Sequence, residues 1–540
     1  MVNTHTSAAC RAATQSLLAV LAMGAMLAAC SPGGRRSVAL AGTPSAVITV
    51  EGGQLQGVVA EGIVSFKNIP YAAPPIGALR WRAPRPAPTW TGIRAADHWG
   101  NECMQQQFAA DLAISSQPMS EDCLTLNVWS PPSAGKAPVM VWIHGGGFVN
   151  GSAAREIYDS RHLAASGVVV VTINYRLGRF GFFAHPALTA QAKEEPTGNF
   201  GFLDQIAALR WVQRNIAAFG GDPSNVTVVG ESAGGGSVNV LMIAPAARGL
   251  FHKAIVQSGG GRDTLPKLTQ KLSDGTASAE ARGLAFAAGV KAGNDADALR
   301  ALPAKAVVGG LHMGDMQPDT YSGPMLDGTL LTKDISEAFA QGEQQRIPYL
   351  IGTMDHEAGI LFMNQEQAKK TLKIIPGDGA ALGPLYDPGK SGDIIMVAAE
   401  AGSDWIFVEP SRYLARLAAR TGQPTYWYRF SYVAEAHKKV MARAMHSTDV
   451  PYVFDTWDTT KYPVAEKDRA TSKLIEGYWT SFAKNGDPND AARTTWPRFS
   501  PDSDTVLEFD LSGGATARSN PFRDRLDYLA GLHGGPPKNP

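Results

Sequence analysis

From Val226 to Ile243 the chain passes from a short β-branched apolar run into a stretch with helical spacing. Only Gly230-Glu231-Ser232-Ala233-Gly234 lies between them. A strand that hands over to a helix this abruptly must turn sharply. The flanking glycines remove Cβ atoms that would collide with the neighbouring strand or helix. The serine at the apex is then strained, with its hydroxyl pushed out above the sheet. Ser232 is therefore the candidate covalent nucleophile.

The five-residue pattern carries little alone, because glycine is common here (57 of 540 residues). Its surroundings carry more. Pro138–Ile143 and Gly167–Ile173 are continuous apolar runs, as expected of strands covered on both faces of a mainly parallel sheet. Leu124–Trp129 alternates like a half-buried strand, and Val47–Val50, Val58-Val59, Ala254–Val256 and Pro348–Ile351 are further strand candidates. Gly201–Ile216 has helical spacing. Strands alternating with helices predict an α/β class with a parallel sheet. Two less regular stretches, about 262–345 and 361–444, are expected as insertions over the sheet edge that form a cap and gorge wall within one domain, 46–540.

Composition excludes several partners. Lys+Arg and Asp+Glu both number 49, so no basic excess exists to attract nucleic acid or anionic lipid. No His-Glu-x-x-His is present, and Asn294-Asp295-Ala296-Asp297 lacks the later glycine and glutamate of a calcium loop. No metal or cofactor is expected. Asn225-Val226-Thr227 is formally a glycosylation sequon, but it runs into the buried elbow strand.

The first residues predict targeting. Leu17–Ala29 is an apolar run too short for a comfortable membrane span, and it ends in Leu27-Ala28-Ala29-Cys30. That tetrapeptide resembles the lipobox of bacterial lipoprotein signal peptides. The resemblance implies a signal peptide over 1–29, lipidation of Cys30 and a tether over 30–45. Ser31, rather than Asp, favours sorting to an outer membrane. The rival is plain secretion after Ala39-Leu40-Ala41. Any membrane contact is expected through the anchor only. In an exported chain the remaining cysteines, Cys103 and Cys123, read as one disulfide.

A serine hydroxyl needs a base, and the base needs an orienting acid. In folds built on such an elbow the chain order is serine, acid, histidine. Among the downstream histidines, His446 stands in Met445–Phe454, after an Ala/Arg/Lys-rich segment with helical character and before an apolar run. His437 reads as a solvated helix face, and His533 lies in a Gly/Pro-rich tail. For the acid, Asp355 and Glu357 both follow the strand candidate at 348–351, and both qualify. His144-Gly145-Gly146-Gly147-Phe148 directly follows another strand and offers bare N–H groups to a developing oxyanion, which the Ala233 N–H would complete.

With these pieces assembled, the chain resembles the type-B carboxylesterase family, which includes cholinesterases and bacterial para-nitrobenzyl esterases. The likeness spans roughly Val47 to Phe499. It rests on Ile69–Pro75, Glu121–Trp129, His144–Phe148, Asn174-Tyr175-Arg176, Phe219–Pro223, Gly230–Gly235, Gln257-Ser258-Gly259 and His446–Phe454. It implies an α/β-hydrolase fold, a central mostly parallel sheet flanked by helices with cap and gorge insertions. It also implies a carboxylic ester hydrolase with a Ser232–Glu357–His446 triad, small-molecule esters and water being its partners. By resemblance Gly146, Gly147 and Ala233 are the oxyanion donors, and Glu231, Ser258 and Asp449 match a buried polar network beside the triad. Cys103–Cys123 matches the family's first disulfide. Between those cysteines Phe108 is the only aromatic, so the choline-binding tryptophan of cholinesterases has no counterpart. Bulky xenobiotic or natural-product esters, mycotoxin side-chain esters included, fall within the implied range. The same chemistry on amides or carbamates, or a non-catalytic binding relative, are the other readings; the latter is disfavoured because the serine, acid and histidine are all present.

Overall fold

The structure is a computed structural model that describes residues 42–534, apart from 108–116, 133–134, 194, 358–363, 377–381 and 460–462. The signal-peptide and lipobox expectations, Cys30 and Phe108 lie outside the described residues.

Twelve strands form the main sheet. In chain order they are β1 (Thr43–Pro44), β2 (Val58–Ala60), β3 (Ile63–Pro70), β4 (Thr125–Ser130), β5 (Ala137–Ile143) and β6 (Val169–Ile173), followed by β7 (Gly221–Glu231), β8 (Lys253–Gln257), β9 (Tyr349–Met354), β10 (Thr425–Phe430), β11 (Thr505–Phe509) and β12 (Ala515–Ser519). Their spatial order is β1-β2-β3-β4-β6-β5-β7-β8-β9-β10-β11-β12. From β6 across to β11 every neighbour pairs parallel. The flanking pairs are antiparallel. Exchange of β5 and β6 in the spatial order leaves β5 and β7 side by side, so the glycine loop after β5 meets the elbow after β7.

The continuous apolar runs have the predicted cause. In β5, Val139, Val141 and Ile143 face one core, and Met140 and Trp142 face the other. The first core packs against α1 (Phe200–Asn215), α2 (Ala233–Ile243) and α4 (Glu409–Arg420) through Ile206, Leu209, Val238, Leu241 and Leu414. The second packs against α5 (Glu466–Asn485) through Ile475, Trp479 and Phe482. A further short helix, α3 (Ile335–Ala340), packs against α2 and α4. Among the described residues no helix is long and apolar enough to cross a membrane. Cys103 and Cys123 form a disulfide.

Several expectations differ from the structure. Leu124–Trp129, expected as a half-buried strand, is buried throughout, and Thr43–Pro44, expected within the tether over 30–45, pairs with β2 in the main sheet. The stretch 361–444 is not wholly an insertion, because it supplies α4 and the inner strand β10. Arg429 interrupts the apolar character of Thr425–Phe430, and aromatic packing against Trp479, Trp496 and Phe509 replaces an aliphatic run. The segment before His446 is turns, not helix, so His437 does not lie on a helix face. It is tied down by ionic contacts from Arg443 and by a parallel bridge between His356 and Met445. Finally, Ile48–Val50 lies in a separate three-stranded sheet.

Candidate active site

Strand β7 ends at Glu231 and α2 begins at Ala233, leaving Ser232 alone at the turn with φ 56° and ψ −124°. A side chain held there costs on the order of 1–3 kcal/mol, which the surrounding packing must overcome. The turn is fixed on both sides: the Ser232 N–H donates to the Gln257 carbonyl (2.9 Å), and the Gly236 N–H donates to the Ser232 carbonyl (2.8 Å). The glycines are dictated by contact. A Cβ at Gly230 would sit 2.3 Å from the Gly234 oxygen, and one at Gly234 would sit 2.0 Å from the Ile143 oxygen. Ser232 opens onto a cavity of about 190 Å³ walled largely by apolar groups, among them Phe148, Phe202, Val240, Ile406 and Phe407.

Glu357 and His446 come together. Glu357 follows β9, and its Oε2 lies 2.5 Å from His446 Nδ1. Its Oε1 accepts from the Ser258 hydroxyl (2.7 Å) and from the Met354 N–H (2.8 Å). The carboxylate is thus aimed by three donors, and Nδ1 carries the ring proton in that arrangement. The other ring nitrogen, Nε2, has no hydrogen-bond partner among the described residues, although Glu231 Oε1 lies 3.2 Å away. Phe407, on the cavity wall, packs 4.9 Å from the imidazole.

Asp355, the other acid candidate, is committed elsewhere. It accepts from Arg443 Nε (2.7 Å) and is also ion-paired with Arg429. Burial works against its charge, but the two guanidiniums outweigh burial and hold it below the usual carboxylate range. Arg443 also pairs with Glu400, whose carboxylate meets His356 Nδ1 at 3.0 Å. The His356 N–H donates to the Ala444 carbonyl (2.9 Å). This ionic cluster fastens the loop bearing Glu357 to the segment bearing His446.

The three supporting residues lie around the histidine. Ser258 holds Glu357. Glu231 accepts from the Ser447 hydroxyl (2.5 Å). Asp449 accepts from the Gln257 amide (2.7 Å), whose oxygen in turn accepts from the Trp479 indole (3.1 Å). Burial, with Glu231 nearby, pushes Asp449 up to about 7. Burial opposes a charge on His446, yet Glu231, Glu357 and Asp449 together outweigh it and raise the imidazole to about 9. The site therefore favours imidazolium, the form a base reaches when it takes a proton.

Beside Ser232, the loop after β5 turns back on itself: the Val149 and Asn150 N–H groups both donate to the Gly146 carbonyl (3.0 and 2.8 Å). That turn needs φ 110° at Gly146, where a Cβ would lie 2.1 Å from the Asn150 oxygen. The Gly146, Gly147 and Ala233 N–H groups form no hydrogen bond among the described residues, and Gly147 and Ala233 line the cavity with Ser232. His144 supports the loop from beneath. It stacks on Tyr175 (4.5 Å), and burial lowers its pKa to about 3, so it stays neutral.

Sequence reading missed Ser447, Gln257 and Trp479 as members of the network. Ser447 had a signal, its place directly after His446. Gln257 had one too, its place directly before Ser258, whereas Trp479 had none, because its role depends on how α5 packs against the sheet.

An elbow serine, a carboxylate-bound histidine and a glycine loop at the ends of parallel strands define an α/β-hydrolase fold. The carboxylesterase-family sequence profile matches residues 44–376 and 386–528. Fumonisin B1 esterase of Sphingopyxis macrogoltabida is 35% identical over 475 residues, covering 84% of this chain and 85% of that protein. Para-nitrobenzyl esterase of Bacillus subtilis is 34% identical over 503 residues, covering 89% and 98%. A Geobacillus stearothermophilus carboxylesterase structure superposes with a TM-score of 0.77 at 32% identity, covering 90% of this chain and all (100%) of that one. The chain belongs to the carboxylesterase family and is a carboxylic ester hydrolase.

Proposed function

We propose that this esterase works through an acyl-enzyme on Ser232. His446 Nε2 takes the hydroxyl proton as Ser232 Oγ attacks the ester carbonyl, while Glu357 holds the imidazole by Nδ1. The Gly146, Gly147 and Ala233 N–H groups receive the oxyanion, an interaction for which one donor is typically worth about 10²–10³ in rate. Collapse of the tetrahedral species breaks the bond to the alkoxy oxygen, which leaves as alcohol with the proton from His446. Water then attacks the acyl-Ser232 carbonyl, giving its proton to His446, and the acid departs as Ser232 recovers its proton. Glu231 and Asp449 favour the imidazolium formed in each half, and Ser258 fixes Glu357.

The observation that carries this reading is the half-satisfied histidine: Nδ1 is bound to Glu357 at 2.5 Å, and Nε2 is left without a hydrogen-bond partner among the described residues, open to accept a proton. Ser232→Ala tests it. On p-nitrophenyl butyrate, kcat is expected to fall by roughly 10⁴-fold or more. Turnover near wild type in a folded variant would overturn the assignment. Two relatives are named for para-nitrobenzyl esters and for fumonisin B1, so small aryl esters and bulky natural-product esters are both proper substrates to screen.

Export with lipid anchoring at Cys30 belongs to the same proposal. It is supported by Leu27-Ala28-Ala29-Cys30 after an apolar run and by the Cys103–Cys123 bond, which suits an oxidising compartment. Loss of metabolic palmitate labelling in Cys30→Ala is the expected result; labelling that persists would exclude Cys30.

A further inference from the structure

The cavity above Ser232 has one charged side chain on its wall among the described residues, Asp263. Its loop, running on from β8, also lines the cavity with Gly260, Gly261 and Leu265. Asp263 Oδ2 lies 4.0 Å from the position a Cβ would take on Gly260, another residue of the wall. The side chain is open to solvent rather than packed.

This carboxyl has no hydrogen bond or ion pair among the described residues. Its neighbour Arg262 does not serve it: that guanidinium pairs with Glu409 (2.5 Å), donates to the His533 carbonyl (3.2 Å) and stacks 3.8 Å from the Tyr413 ring. The charged group that acts on Asp263 is another acid, Asp334, whose own Oδ1 accepts the Leu265 N–H (2.9 Å). Solvent reaches this carboxylate, so it needs no counter-ion until a ligand displaces that water. A neutral apolar ligand would cover it and leave it unpaired. A ligand carrying a cation would supply the missing partner.

Resting on the acyl-enzyme reading above, we propose that Asp263 is a recognition group for esters in which the half occupying this cavity is an apolar chain bearing a protonated amine. The ammonium N–H donates to the Asp263 carboxylate while the carbon chain lies along Phe202, Leu265 and Ile335.

Two ester pairs matched in shape test this near neutral pH. In the first, p-nitrophenyl 4-(dimethylamino)butyrate is compared with p-nitrophenyl 5-methylhexanoate, so the cation is in the acyl half. In the second, 2-(dimethylamino)ethyl butyrate is compared with 3-methylbutyl butyrate, so it is in the alcohol half. Asp263→Asn keeps the shape and removes the charge. In one pair it should lower kcat/KM for the amine by about 10- to 100-fold and for the neutral partner by less than about threefold, since a charge-assisted hydrogen bond is lost only with the amine. If Asp263→Asn leaves the amine-to-neutral ratio unchanged in both pairs, the proposal is wrong. The neutral esters report separately on Ser232. If their turnover is the same in wild type and Ser232→Ala, the acyl-enzyme reading fails and the subsite falls with it.

Discussion

Replacing Glu231 by Gln removes the carboxylate that lies 3.2 Å from His446 Nε2, one of the charges holding that imidazole up near pH 9. At this distance Coulomb's law with an effective dielectric of about 20 gives roughly 5 kcal/mol, nearly 4 pH units, as an upper limit. Glu231 also accepts the Ser447 hydroxyl at 2.5 Å, which spreads its charge. Opposite charges at such range usually move a pKa by about 1–3 units, and that is the shift expected here. The sign follows from the chemistry. The free imidazole is the base, so kcat/KM rises as pH climbs through the folded-state pKa. Removing the anion lowers that pKa and moves the rise to lower pH. The imidazolium of the transition state loses the same support, so the high-pH plateau should drop by about tenfold or more. The assay is kcat/KM for p-nitrophenyl butyrate from about pH 5 to pH 10 in wild type and Glu231→Gln. An acid limb that stays in place, or moves to higher pH, would refute the reasoning that Glu231 sets the basicity of His446.

Three further outcomes are expected. Glu357→Gln should cost roughly 10⁴ in kcat, because the imidazole loses its orienting anion, whereas Asp355→Asn should act mainly on stability; a larger kcat loss in the Asp355 variant would reverse their roles. Gly146→Ala introduces a Cβ 2.1 Å from the Asn150 oxygen and should displace an oxyanion donor, lowering kcat/KM by about 10²–10³-fold in steady-state assays of a variant whose circular dichroism is unchanged. Arg443→Gln cuts contacts to Asp355 and Glu400 that join the two loops bearing Glu357 and His446. With its guanidinium about a third exposed, the expected loss is about 1–3 kcal/mol in denaturant unfolding, together with a fall in kcat larger than any change in KM.

The sheet centre was legible because its chemistry is local. Val139–Ile143 is apolar throughout, and Val169–Ile173 and Val226–Val229 are interrupted only by the β-branched Thr172 and Thr227, a pattern that suits burial on both faces. The far side of the sheet was not legible. In β10, Arg429 is spent on the ion pair with Asp355, and in β11, Glu508 faces Arg518, so neither strand shows a clean apolar signal. The same divide runs through the site. Ser232 and His446 could be chosen from local sequence and chain order. The acid could not be chosen from these alone: Asp355 and Glu357 are two positions apart, the family resemblance pointed to Glu357, and the physical reason is that Arg429 and Arg443, from distant segments, occupy Asp355. Phe407 and Asp263 come from stretches whose place over Ser232 depends on tertiary packing, so nothing in their own neighbourhoods announced them.

The central claim is that Ser232 carries the acyl group. Diethyl p-nitrophenyl phosphate tests it directly, because an activated serine displaces p-nitrophenolate and keeps the diethylphosphoryl group. Peptide mapping by mass spectrometry is predicted to find one such group per chain, on Ser232, with inactivation in step with labelling and no label in Ser232→Ala. Label on another residue, or full activity in a chain labelled at Ser232, would contradict the account.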